Sequence, residues 1–241
     1  MQIDYHYSMS NKITRIYSLL YLEYGPQGWW PLTEKYKFIP EHSGKKPNTN
    51  KRRFEIIVGA ILTQNTSWKN VEKAIYTLNS KSLLNVNEIL NSPQKNLAEA
   101  IRSSGYYNQK AIKLKTVAEF LKINKFSTLK KTDTKQLRNK FLSVKGIGPE
   151  TTDSILLYAL EKPIFVVDAY TKRLVQRLGL TKDLSYESVQ KLFETNLPKD
   201  YRMYKEYHAL IVEHAKRFCT KKPKCNKCTI RRLCANFKGI L

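Results

Sequence analysis

The sequence predicts an all-α protein. Its ordered stretches repeat apolar residues at helix spacing, and none sustains the period-two alternation of a half-buried strand. No hairpin dipeptide interrupts them, and Ser, Pro, Gly and Asn punctuate them at short intervals. The first helix falls in residues 12–24, where Ile13, Ile16, Leu19 and Leu20 share a face and Gly25-Pro26-Gln27-Gly28 ends the run. Trp29-Trp30-Pro31 follows, then a polar, basic loop or linker over residues 40–53. From Phe54 two helices are expected, interrupted near Thr63-Gln64-Asn65-Thr66, with Ser67 as the cap of the second. Shorter helices are expected over residues 82–90, 93–103, 108–122 and 133–143, and later over 169–178, 185–194 and 201–217.

Lys and Arg number 43 against 20 Asp and Glu, a formal net charge of +23. The basic residues are spread along the chain, which points to a folded basic surface and a polyanionic partner. A Lys-rich genomic bias is the plainer alternative, but it would not suppress Asp and Glu. No run reaches the roughly eighteen apolar residues of a membrane span. The N-terminus, MQIDYHYSMSNK, lacks a basic region followed by an apolar one, so no secretory signal is expected. The expectation is an intracellular protein of the cytoplasm or nucleoid, without membrane, and a monomer. All four cysteines lie within residues 219–234. In a reducing compartment that favours a metal over disulfides.

Leu142 to Arg173 organises the chain. Gly146 and Gly148 bracket Ile147 in a tight turn, and a helical pattern follows through Ile155, Leu156, Ala159 and Leu160. A glycine turn that opens a helix presents backbone N–H groups and a positive dipole end to a phosphate. Such contacts hold a nucleic-acid backbone without reading sequence. Pro163 breaks the helix, Ile164 to Val167 form an apolar run, and Asp168 precedes Ala169-Tyr170-Thr171-Lys172-Arg173. An Asp in this position is most often a helix N-cap. VKGIGPET, followed twenty residues after Gly148 by VVDAYTKR, resembles the helix-hairpin-helix signature of the endonuclease III-type DNA glycosylase superfamily. The resemblance implies that Lys145, Gly146, Ile147, Gly148 and Lys172 meet DNA and that Asp168 is catalytic. It also implies a six-helix barrel domain over residues 54–160. Residues 1–53 and 161–241 would combine as a second helical domain, with the cleft between the two.

Cys219, Cys225, Cys228 and Cys234 are spaced C-x5-C-x2-C-x5-C. Zinc and a [4Fe–4S] cluster are both compatible with four such thiolates. The resemblance favours the iron–sulfur cluster, because superfamily members carry a C-terminal C-x6-C-x2-C-x5-C loop; the first gap here is one residue shorter. Basic residues around the cysteines suit phosphate docking, so a structural, DNA-docking loop is expected.

Where strand-cutting members of the superfamily carry a lysine, two residues past the last hairpin glycine, this chain has Glu150. A carboxylate cannot form a Schiff base, so the expectation is a monofunctional glycosylase with water as nucleophile. An acid in the first turn of a helix is the plainer account of Glu150. GAILTQNTSWKNVEKA, GYYNQKA and the WWP stretch resemble the 3-methyladenine DNA glycosylase III branch. That implies Trp68 and one of Trp29 or Trp30 around the extruded base, Gln64 in the gap left in the duplex, and Glu150 adding negative charge near the pocket. Core packing is the usual role of tryptophan. The substrate implied is double-stranded DNA with an alkylated purine such as 3-methyladenine, whose cationic ring suits an aromatic pocket. The alternatives are an endonuclease III-like enzyme for deaminated, oxidised or mispaired bases, and a non-catalytic damage-sensing protein.

Overall fold

The computed structural model describes residues 12–237; the segment 1–11, most of the stretch read for a secretory signal, lies outside the described residues. The chain forms two compact units, one of residues 28–164 and one of residues 1–27 with 165–241.

The unit of residues 28–164 is built on α2 (Asn50–Leu62), which is buried from Arg53 through Leu62. A helix apolar on most of its surface belongs inside a core. It begins one turn earlier than its apolar run, because Thr49 caps it by accepting the Arg52 N–H at 3.2 Å. The unit also holds α3 (Trp68–Ser80), α4 (Val86–Asn91), α5 (Gln94–Ala100), α6 (Tyr107–Ile123), α7 (Phe126–Lys131), α8 (Thr134–Leu142) and α9 (Pro149–Ser154), of which α3, α6 and α9 pack on α2. A wider π turn, Ile155–Ala159, continues α9 and packs on α2. Ser67 takes the N-cap backbone conformation of α3, but its side chain makes no capping bond.

Two short strands, β1 (Leu32–Thr33) and β2 (Pro40–Glu41), pair antiparallel with Leu32 opposite Glu41. They bring Thr33 to Glu55, whose Oε1 accepts the Thr33 N–H at 2.8 Å and its hydroxyl at 2.5 Å. Burial raises the Glu55 pKa above the usual carboxylate value, against those two bonds. This anchor explains why residues 28–53 group with the helices after them, where the sequence reading began the unit at residue 54.

Lys110 sits on the buried face of α6 and is 2% exposed. Its Nζ donates to the Leu62 carbonyl at 2.8 Å and the Ser104 carbonyl at 2.7 Å. It therefore satisfies the C-terminal end of α2 with a cation, where the helix dipole favours one. Burial, helped by nearby Lys113, lowers its pKa to about 8.

The other unit holds α1 (Lys12–Tyr24), α10 (Ala169–Leu178), α11 (Tyr186–Asn196) and α12 (Tyr201–Arg217). α12 packs on α1 and α10. Its core is aromatic: Phe165 stacks on Phe193 at 4.1 Å, with Tyr204 and Tyr207 edge-on to Phe165. The Tyr207 hydroxyl donates to the Ile13 carbonyl at 2.9 Å. Among the described residues no helix is long and apolar enough to cross a membrane.

Candidate functional site

The hairpin joins α8 to α9. Gly146 takes φ +87°, and a Cβ there would lie 2.9 Å from Lys113 Cγ, so both conformation and space require glycine. Gly148 is extended at the N-cap of α9, with Pro149 in the first turn. Ile147 is 4% exposed and its N–H donates to the Val144 carbonyl at 3.1 Å. It anchors the turn, which leaves Lys145, Gly146, Gly148 and Glu150 on the surface. Gln64 braces the hairpin: its Nε2 donates to Thr151 Oγ1 at 2.9 Å, and Lys113 Nζ donates to its Oε1 at 2.5 Å. A second brace is the bidentate pair of Arg138 with fully buried Asp153, at 2.8 and 3.1 Å.

Trp29, Trp30 and Trp68 come together in the same unit, all edge-to-face. Ring centroids are 5.4 Å apart for Trp29–Trp30, 4.9 Å for Trp29–Trp68 and 5.5 Å for Trp30–Trp68. Trp30 is 7% exposed and lies edge-on to Tyr158. It rests on α2 at Gly59, where a Cβ would come within 2.9 Å of its Nε1. Trp29 and Trp68 are half-buried, and exposed His42 sits 4.9 Å from Trp29. Sandwiching a purine requires two rings roughly 7 Å apart, twice a van der Waals contact. As placed, the indoles cover one another. The Trp68 Nε1–H is buried without a hydrogen-bond partner.

Asp168 caps α10. Its Oδ1 accepts the Thr171 N–H at 2.7 Å and the Thr171 hydroxyl at 2.8 Å. His208 Nε2 of α12 lies 3.6 Å from Oδ2. Burial would push the carboxyl pKa up, but His208 and the two Thr171 bonds outweigh it and hold it below its ordinary value. The group is thus a cap and a sequestered carboxylate at once. Lys172, half-buried in the first turn, donates its N–H to the Asp168 carbonyl at 3.0 Å.

The four cysteines are free and line one pocket with His214, Arg177 and Ile230. Among the described residues, no three His, Cys, Asp or Glu are grouped to hold a single metal ion. The loop is clasped to α10. Arg173 Nε donates to the Cys219 carbonyl at 2.8 Å, and Arg177 Nη1 donates to the Thr220 carbonyl at 2.7 Å. Gly179, at φ +64°, closes α10 beside Ala235. His214 is buried between the Tyr24 hydroxyl at 2.8 Å and Cys228 Sγ at 3.4 Å.

Sequence reasoning missed His208, His42, Thr151 and Lys113, each drawn to its partner from a distant segment. It left GYYNQKA without a chemical role, though Lys110 falls in register with the buried residues Leu114, Val117 and Leu121.

A hairpin turned on glycine, an aspartate held charged at the head of a helix and a mostly helical scaffold are the architecture of a DNA glycosylase. The family model for the HhH-GPD superfamily of base excision DNA repair proteins matches residues 58–199, and the chain belongs to that superfamily. A Methanocaldococcus jannaschii protein bearing the name "Putative DNA repair glycosylase" is 48% identical over 92% of this chain and 95% of its own length. The endonuclease III of Sulfolobus acidocaldarius is 30% identical over 86% of this chain and 94% of its own. Among solved structures, the 3-methyladenine DNA glycosylase of H. pylori bound to 1,N6-ethenoadenine is similar with a TM-score of 0.67. It is 28% identical, covering 85% of this chain and 95% of its own.

Proposed function

We propose that this DNA glycosylase is monofunctional and releases alkylated purines such as 3-methyladenine from double-stranded DNA. The tryptophan cluster carries the reading. Three indoles with one buried, unpartnered N–H suit a flat, cationic base with an acceptor to offer. Because the indoles cover one another, Trp29 and Trp68 part to admit the base, while Trp30 stays against Gly59 as a wall. The H. pylori relative's bound 1,N6-ethenoadenine, a modified purine, supports the same class.

Glu150 stands where an attacking amine would be needed, so water is the nucleophile. The bond between sugar C1′ and the purine nitrogen breaks, and the base leaves with its electron pair. Water oxygen bonds to C1′, and Asp168 takes the water proton while its charge offsets the positive charge developing on the sugar. Thr171 and His208 keep that carboxylate ionised and oriented. Lys145, Gly146 and Gly148 hold the phosphates, with Ile147 buried beneath them, and Lys172 adds a further contact. Gln64 leaves Thr151 to fill the gap in the duplex.

Cys219, Cys225, Cys228 and Cys234 share one pocket and would hold the metal centre; the resemblance to cluster-bearing superfamily members favours a [4Fe–4S] cluster, with zinc as the alternative. When bound, the cluster supplies a fixed basic loop for phosphate docking.

The test is release of free base from methylated, uracil, thymine-glycol and A·8-oxoG duplexes by wild type and Asp168→Asn. Strand nicking is scored with and without alkali. Methylpurine release that requires Asp168, with nicking only after alkali, is expected. Release from another duplex would replace the substrate, and nicking without alkali would refute the monofunctional reading.

A further inference from the structure

At the end of α2 remote from Gln64, the unit of residues 28–164 contains an open pocket of about 820 Å³. A helix of this length spans roughly 20 Å, so the pocket is well separated from the hairpin brace within the same unit. Five cations line it: Lys51, Arg53, Lys122, Lys125 and Lys130. No carboxylate lines it, and none of the five is in an ion pair among the described residues.

Arg53 is the informative member. It is only 6% exposed, yet its Nε–H is buried without a partner. Among the described residues its one side-chain bond is a long one, 3.5 Å from Nη1 to Asn50 Oδ1. A buried guanidinium ordinarily has a carboxylate or several carbonyls to answer its donors. This one also sits in the first turn of α2, where the helix dipole disfavours a cation. An anion in the pocket would relieve both costs. Apolar Leu121 and Phe126, 6% and 8% exposed, form part of the lining and strengthen any charge contact made beside them.

We propose that this pocket is a second anion site, which takes phosphate groups on the planar donors of Arg53 with the four lysines as a rim. The chemistry is shared by free polyphosphates and by the backbone of a second stretch of nucleic acid, and the arms of the test separate them.

Inorganic tripolyphosphate is titrated calorimetrically into the full chain and into the rim variant Lys51→Gln/Lys122→Gln/Lys125→Gln/Lys130→Gln. A charge-matched control, Lys95→Gln/Lys182→Gln/Lys191→Gln/Lys199→Gln, replaces exposed lysines outside the pocket. Arg53→Gln is measured as well; if it does not fold, the rim variant carries the test alone. The expected result is at least a tenfold loss of affinity in the rim variant and little change in the control. In a second arm, affinity for undamaged duplex is followed against salt. A slope smaller in the rim variant than in the control, by about 0.9 for each lost phosphate contact, assigns the site to nucleic-acid backbone. Equal slopes assign it to free polyphosphate. If tripolyphosphate does not bind, or if rim and control variants lose it equally, the pocket is no anion site and the proposal fails.

Discussion

In the unit of residues 28–164, the groups proposed to meet the base are held by one another. Trp29, Trp30 and Trp68 stand edge-to-face at 4.9–5.5 Å, and only Trp30 is locked into the core. In the unit formed by the two ends of the chain, Asp168 is held by directed polar bonds from Thr171 and by His208 at 3.6 Å. Packing between rings tolerates rearrangement, because edge-to-face and offset contacts differ little in energy. Hydrogen bonds to a carboxylate do not, because they fix both its direction and its charge. On the proposed function, one unit therefore holds its groups ready to adapt to a ligand, and the other holds its acid ready for chemistry. Substitutions should move affinity in the first and rate in the second.

The sharpest test is Asp168→Asn. Asparagine caps a helix about as well as aspartate, so stability should fall only by what the ionised carboxylate adds at neutral pH. The single-turnover rate of base release should fall about 10²–10⁴-fold, the usual worth of a positioned acid or base. Affinity for damaged duplex should be preserved. Asp168→Ala should lose the rate as well and add about 0.5–2 kcal/mol of instability from the missing cap, read by denaturant unfolding. If the Asn variant lost affinity in step with rate, the contrast between the units would be broken.

Two substitutions sharpen what is fixed in the unit of residues 28–164. Trp30→Ala should destabilise it by about 3–5 kcal/mol, since it empties a well-packed site between Gly59 and Tyr158. Lys110→Met should cost about 2–4 kcal/mol, because the Leu62 and Ser104 carbonyls are left unanswered in the core. Both losses are read by denaturant unfolding.

The parts that were legible in the sequence are those with local signals. α10 and α12 fall at the expected residues, 169–178 and 201–217. Asp168 and Asp200 cap them, and Gly179 ends α10 in the left-handed conformation. The first turn of α2 hid inside a polar run, because a cap such as Thr49 looks like any loop threonine until its N–H partner is placed. α7, six residues of FSTLKK, is too short to show a period. The two-residue strands are too short to alternate. Of the candidate site, Asp168, the hairpin and the tryptophans were legible as motifs. Their supports were not: His208, Thr151 and Lys113 reach their partners only through the tertiary fold.

Smaller effects are expected at the adaptable rings. Trp29→Ala and Trp68→Ala should each weaken binding to a duplex with a methylated purine by about 1–3 kcal/mol, roughly 5–150-fold. The loss should be much less on undamaged duplex, and binding by fluorescence anisotropy measures both. A loss of rate at unchanged affinity would place one of these rings with Asp168 in function, contrary to the division drawn above.

The smallest effect at neutral pH, and the most specific, concerns His208. Burial alone would raise the Asp168 pKa; His208 and Thr171 bring it below the ordinary carboxylate value of about 3.9. Because the folded-state value is the lower one, the ionised form stabilises the fold above the unfolded value. That contribution is lost as pH falls through the folded value. Base release should therefore persist into mildly acidic solution and fall only below the usual carboxylate range. His208→Ala removes the largest influence that lowers this pKa and leaves burial opposed by Thr171 alone. The acid limb of the single-turnover pH profile should then move to higher pH, while the neutral plateau and DNA affinity change little. An unmoved limb would mean that Thr171 suffices to hold the charge. A collapsed plateau would mean that His208 acts on the reaction itself, and the acid would then not be held by its surroundings in the way the geometry indicates.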